Sequence, residues 1–216
     1  MDMSTTRFPA VLDPALKAAD PKEPTVNADR TARPATVTLA AALHFAIALA
    51  FASIPVVGLV FGADVQAAAE AETARQGQDP NLLAANGLAF DEHGVAIWAP
   101  FVIAAAIAAI GGLVLAGRRI GRLLAWIALP LVLAGNALIM AGNATAAAKV
   151  QAVFDASDDP AVRSLDTAAL LDAAYAAYPQ WLPALEAARL AIVVLGCLLG
   201  VILLALPAAR AHFAKR

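Results

Sequence analysis

Lys, Arg, Asp and Glu make up only 15% of this 216-residue chain, and one cysteine with three histidines completes a sparse set of reactive side chains. Ordinary soluble domains carry about 25% charged residues. So little charge excludes a disordered chain, and a lone cysteine excludes an intramolecular disulfide framework. Cys197 lies inside an apolar run, where a thiol behaves as a small hydrophobe and reveals nothing about redox compartment. A net charge of -2 gives no reason to expect nucleic acid as a partner. GxSxG, HExxH, Walker and Rossmann fingerprints are also missing, and the apolar stretches hold no acids or serine-lysine pairs of the kind membrane-embedded hydrolases use. The expectation is a non-enzymatic protein with no catalytic residue, no cofactor and no metal.

Hydrophobicity is abundant instead, at 61% of residues, and it is carried mainly by Ala and aliphatic side chains that favour helix. A bilayer core about 30 Å thick needs roughly 20 apolar residues at about 1.5 Å rise each. Four stretches meet that length, at 35–62, 95–116, 123–142 and 190–206, and none contains Asp, Glu, Lys or Arg. The fold class read from this pattern is an all-α polytopic membrane protein, with four transmembrane helices in two hairpins. An arm (1–34) precedes the membrane domain (35–208), the connections 63–94 and 143–189 lie on its outer side, and a basic tail (209–216) follows.

Basic residues resist translocation, so their distribution predicts orientation. Arg7, Lys17, Lys22, Arg30 and Arg33 precede the first span; Arg118, Arg119 and Arg122 mark the turn between the second and third; Arg210, Lys215 and Arg216 end the chain. The other two connections are acidic, with Asp64, Glu70, Glu72, Asp79, Asp91 and Glu92 in the first and Asp155, Asp158, Asp159, Asp166, Asp172 and Glu186 in the second. Both termini are therefore expected in the cytoplasm. Trp98, Tyr178 and Trp181 then fall near the outer interface and Trp126 near the inner one, where amphipathic rings settle. A cleaved signal peptide is the rival reading of the first span, but its apolar run is longer than an h-region and starts far from the first residue. The proline-rich, charge-balanced arm, with Pro9, Pro14, Pro21, Pro24 and Pro34, reads as disordered.

Both outer connections are predicted to fold as helices. Asp64 to Arg75 is Ala-rich and acidic; Asp79-Pro80 is a helix start that Gly87 stops, and Asp159-Pro160 repeats the start signal. Ala168, Leu171, Tyr175 and Tyr178 share one helical face before Pro179, a stripe suited to packing on the membrane surface or the other loop. The segments 63–67 (ADVQA) and 148–152 (AKVQA) echo each other and raise the alternative of a duplicated hairpin.

Spans in lipid associate through close backbone approach, which small residues four apart permit. Ala104, Ala108, Gly112 and Ala116 make such a strip on the second span, and Gly196 with Gly200 makes one on the fourth, suited to packing within one chain or in a homodimer. His44 and Asn136 are polar groups at membrane depth, and such groups mark functional sites by default. With no second ionisable partner, His44 is expected to bond a backbone carbonyl or hydroxyl, and Asn136 to glue helices together. Asp91, Glu92 and His93 are adjacent and point to different sides, so a solvated turn is expected rather than an ion site. Asn143-Ala144-Thr145 matches a glycosylation sequon close to the bilayer surface. Arg118, Arg119 and Arg122 are topology determinants whose natural companions are anionic headgroups.

The segment 33–41 (RPATVTLAA) behind a proline-containing arm resembles uncharacterised multi-pass membrane proteins of high-GC actinobacteria. The resemblance implies a bacterial inner-membrane location and brings no activity. The leading function class is therefore an interaction protein, an accessory subunit, scaffold or envelope-associated factor whose partners are the bilayer and another membrane protein or a second copy. The alternatives are a component of an oligomeric transporter or channel, and an outer-side cation or ligand sensor.

Overall fold

The first helix does not stop where its apolar run stops. In the computed structural model, which describes residues 33–91 and 93–214, helix α1 runs unbroken from Ala35 to Arg75. At about 1.5 Å per residue those 41 residues reach about 61 Å, twice the bilayer core. Its buried positions keep helical spacing throughout, from Val37, Ala40, Ala41, His44, Ile47, Ala48 and Phe51 through Pro55, Gly58 and Gly62 to Val65, Ala69, Glu72 and Thr73. One stripe therefore serves both the membrane and the aqueous half. The apolar run that ends at Gly62 and the helical segment expected over Asp64 to Arg75 are one continuous helix, because an isolated glycine costs a helix only about 1 kcal/mol and no breaker lies between them.

The remaining helices are α2 (Leu82–Ala85), α3 (Val95–Leu115), α4 (Arg119–Ala144), α5 (Ala146–Asp155), α6 (Pro160–Arg163), α7 (Thr167–Ala176), α8 (Leu182–Ala205) and α9 (Pro207–Ala214). No strand occurs among the described residues. Helices α1, α3, α4 and α8 are long and apolar enough to cross a membrane, so the protein is an all-α, multi-pass membrane protein. Helix α8 starts eight residues before the predicted span at Leu190. Glu186 and Arg189 end the apolar run, yet charge ends only the lipid-compatible part of a helix, and Pro183 near the first position starts this one well. The expectations for the arm at 1–32, Glu92, Lys215 and Arg216 lie outside the described residues.

Helix α1 is the centre of the bundle, packing most extensively on α3 and next on α8, while α4 touches α3 and α8. Gly117 adopts φ +70° after α3, and this left-handed residue turns the chain through Arg118 into α4. Just beyond it a Cβ on Gly121 would lie 2.6 to 2.8 Å from Leu113 and Val114, so only glycine lets the two helices start this close. Val37, Ala40, Ala41, Val114, Ala125 and Leu204 close this basic end of the bundle together with Ala209 and Phe213 of α9. The supposed tail is thus a short amphipathic helix tucked under the spans.

At the opposite end the two acidic connections fold on each other. Ala69 of α1, Leu83 of α2, Phe154 of α5, Val162 of α6, Leu170 of α7, and Leu165 between the last two helices form a separate apolar core. Asp159 caps α6 by accepting from the Ala161 amide at 2.9 Å, with Pro160 at the first position. Asp79 accepts from the Asn81 amide at 2.9 Å, but α2 begins only at Leu82; Gly87 follows it with φ +66°. A second cap, Asp166 accepting from Ala169 at 3.1 Å, starts α7 anew and divides the predicted second-loop helix. This division rotates the expected stripe. Thr167, Leu170 and Ala174 face inward, while Ala168 and Tyr175 are exposed.

Candidate functional site

Side chains on α1, α4, α7 and α8 outline a groove of about 370 Å³ on the cap-facing half of the bundle. Its floor is apolar, with Phe51 and Ile54 from α1, Ile139 and Met140 from α4, and Leu190 and Val193 from α8. Polar groups gather along α4 and at the rim: Asn136 and Asn143 from α4, Tyr175 from α7, Glu186 and Arg189 from α8. Pro55 lacks the N–H that would bond the Phe51 carbonyl, so the backbone of α1 loses one helical donor beside the groove.

Loose packing of α4 opens this groove. Its buried residues are Gly121, Ala125 and Leu129, all before Pro130, and none is buried beyond it. Only 11% of its most apolar stretch is covered, against 39% for α1. The Asn136 and Asn143 side chains make no hydrogen bond with any described residue, although both sit on a helix whose outer side is largely apolar. Tyr175 has its hydroxyl pushed above the usual phenol value, first by partial burial and then by the negative charge of Glu186. Tyr175 packs its ring 6.1 Å from that of Tyr178, which meets Phe61 at 6.3 Å; Phe61 also meets Trp181 at 5.9 Å. This aromatic belt joins cap to membrane half.

Other candidates lie elsewhere. His44 is 1% exposed on the α3 side of α1, where a Cβ on Gly111 would come within 2.8 Å of its own Cβ. Its Nδ1 lies 2.7 Å from the Ala40 carbonyl, which can only accept, so Nδ1 donates; Nε2 is buried without a hydrogen-bond partner among the described residues. His44 and Asn136 are not brought together. On α3 the buried positions are Ala104, which belongs to the strip drawn from spacing, and Ile107, Gly111 and Val114, which do not; Ala108 of the strip is partly buried, whereas Gly112 and Ala116 are exposed. In an Ala-rich helix the small residues surround the axis, so spacing alone does not identify the face that His44 requires. Gly196 and Gly200 do lie inward, where a Cβ would meet Ile47 at 3.1 Å and Leu129 at 2.9 Å. Cys197 is buried beside them.

Asp91 and His93 sit 3.6 Å apart in an exposed turn, and the described residues contain no group of three potential metal ligands. Thr145 of the sequon donates to the Gly142 carbonyl at 3.0 Å, and Asn143 is exposed in the groove. The echo segments behave alike locally: Gln66 donates to Glu70 and Gln151 to Asp155, each at 2.8 Å. Gln66 lies within unbroken α1, however, whereas α5 follows a break at Thr145.

Sequence reasoning did not single out the glutamines that tie the cap down. Gln76 accepts from the Asp166 amide at 2.7 Å and donates to its carbonyl at 3.3 Å, as a strand neighbour would. Gln66 accepts from Phe90 at 2.8 Å, and Gln78 donates to Ser164 at 3.0 Å. Glu72, only 5% exposed, is held by Arg75 and Gln76. A polar residue in a polar segment carries no periodic signal. No family model, no curated protein and no solved structure matches this chain.

Proposed function

We propose that this is a non-enzymatic multi-pass membrane protein that works by interaction, receiving a transmembrane segment of another membrane protein along the groove between α4 and α8. The observation carrying this reading is the pair Asn136 and Asn143, two amides without a hydrogen-bond partner among the described residues, on the half of α4 where no residue is fully buried. An amide within hydrocarbon, as Asn136 is, gains by hydrogen-bonding across helices, each pair contributing about 0.6 to 2 kcal/mol, and Asn143 offers a second contact at the membrane surface. A partner helix with a polar residue at matching depth satisfies them. The orientation proposed with it puts the basic end in the cytoplasm and the acidic cap outside, in a bacterial inner membrane, on the distribution of Lys and Arg.

A pore within this single bundle has less support, because Ile47, Phe51, Ile107, Leu129 and Val193 fill its middle. The combination of Glu186, Arg189 and Tyr175 at the rim favours one second reading, an amphiphile whose polar head spans both charges and whose tail follows the floor.

Purification of the full chain from native membranes in mild detergent, followed by mass spectrometry, separates these readings. The interaction reading expects a stoichiometric membrane protein that is lost from an Asn136→Leu, Asn143→Leu double variant of unchanged stability. Bare protein in repeated preparations, or a partner retained by the double variant, would count against it. A small amphiphile recovered in place of a protein would establish the second reading.

A further inference from the structure

At the basic end, a hollow of about 490 Å³ lies between the start of α4 and the short helix α9. Arg119, Arg122 and Arg210 line it, together with Leu123, Trp126 and Phe213. No described carboxylate neutralises its charge: every Asp and Glu among the described residues falls within 64–91 or 155–186, the segments at and near the cap. Arg119 is occupied in shaping the hollow, since its Nε donates to the Phe213 carbonyl at 3.0 Å and its Nη2 to the Ala214 carbonyl at 2.7 Å. These bonds fasten the end of α9 against α4. Arg122 is different. Its guanidinium carbon stands 6.0 Å from the centre of the Phe213 ring, and its Nε is buried with no hydrogen-bond partner among the described residues. A guanidinium that bonds no described acceptor through any of its nitrogens is costly to hold in a partly shielded place, and its terminal N–H groups, unlike the covered Nε, remain for an external acceptor.

We infer that this hollow binds one anionic phospholipid, its phosphate seated between Arg122 and Arg210 and one acyl chain lying along Leu123 and Trp126. Guanidinium groups match phosphate oxygens in pairs, and a phosphate supplies the acceptor that Arg122 lacks. The apolar wall distinguishes a lipid from free phosphate. Leu123 and Trp126 are exposed on the same face of α4 and continue toward the membrane half, where a soluble anion gains nothing from them. Arg118, by contrast, sits outside the hollow, so the sequence cluster of three divides into two lining residues and one bystander, with Arg210 joining from far along the chain.

The test uses the full chain in a neutral, non-ionic detergent, titrated with phosphatidylglycerol, phosphatidylcholine or inorganic phosphate and read by native mass spectrometry. We expect one phosphatidylglycerol retained in preference to phosphatidylcholine. Each arginine near a headgroup contributes a factor of roughly five, so Arg122→Gln with Arg210→Gln is expected to weaken retention roughly thirtyfold. A charge-matched pair outside the hollow, Arg33→Gln with Arg118→Gln, is expected to weaken it less than about fivefold. The Arg122→Lys, Arg210→Lys variant keeps the charges and guards against misfolding; it should bind within about tenfold of the native chain. Equal losses in the two glutamine pairs would reduce the effect to diffuse surface charge and overturn the site. Indifference between the two lipids, or inorganic phosphate that binds as well as the lipid, would overturn it too.

Discussion

The cap and the membrane bundle share one helix, α1, but different forces hold them. In the cap, where water surrounds the fold, the core is made of large side chains: Phe154, Leu83, Leu165, Leu170 and Val162 close over the single small residue Ala69. In the bundle, the closest approaches are made by residues with almost no side chain, Gly111 against His44, Gly196 against Ile47 and Gly200 against Leu129. Water expels apolar surface and so rewards large hydrophobes. Lipid does not, and helices within it gain from close packing of backbones instead. Helix α4 shows the consequence, since it presents large apolar residues all along its outer side and its fully buried residues are Gly121, Ala125 and Leu129 alone.

Truncating large side chains tests the contrast most severely. Phe154→Ala should destabilise the cap by about 3–5 kcal/mol, read as faster hydrogen exchange across α5 to α7 while α3 stays protected. Leu131→Ala on α4, where the side chain is 65% exposed, should change stability by less than about 0.5 kcal/mol. Comparable losses at both sites would mean that water-driven burial also holds the bundle.

Enlarging small residues inverts the pattern. Gly111→Leu forces α1 and α3 apart and should cost about 1–3 kcal/mol in a detergent unfolding titration, whereas its neighbour Gly112→Leu, with nothing within 4 Å, should be silent. If the two variants behave alike, the assignment of the contact face fails.

Polar ties in the cap are weaker individually. Gln76→Ala removes both bonds to the Asp166 backbone and should loosen the cap by about 1 kcal/mol, visible as proteolysis between α6 and α7. No change in cleavage would show that the apolar core alone holds the two connections together.

The smallest effect belongs to the junction. Tyr175 ionises above its usual value of 10.0 in the folded protein because of partial burial and Glu186, so any stability this adds is complete below pH 10 and disappears as pH rises beyond it through the folded value. An absorbance titration of tyrosinate should detect Tyr175 late, and Glu186→Gln should bring it earlier. An unmoved titration in that variant would separate Tyr175 from Glu186 and dismantle the polar rim described for the groove.

Much of the architecture was legible because it follows from solubility. Four uncharged runs of sufficient length predict the four helices long enough to cross a membrane, and Asp159-Pro160 gives one helix start to the residue. Helix ends were harder, since the charges of Asp64, Glu186 and Arg189 mark where lipid becomes unfavourable and not where backbone hydrogen bonding stops. The candidate groove was legible only in fragments. Asn136 stood out as an amide in an apolar run, but Tyr175, Glu186 and Arg189 looked like ordinary members of an acidic connection until α7 and α8 placed them beside it.

Composition and length alone determined that this chain forms helices and that four of them suit a bilayer, because transfer of charged groups into hydrocarbon is prohibitive wherever the chain folds. Tertiary structure decided which side of each helix is buried. In helices that are apolar all round, every face satisfies lipid equally, and only the fit of one surface against another selects Gly111 over Gly112, leaves the far half of α4 uncovered, and brings Arg210 to Arg119 and Arg122.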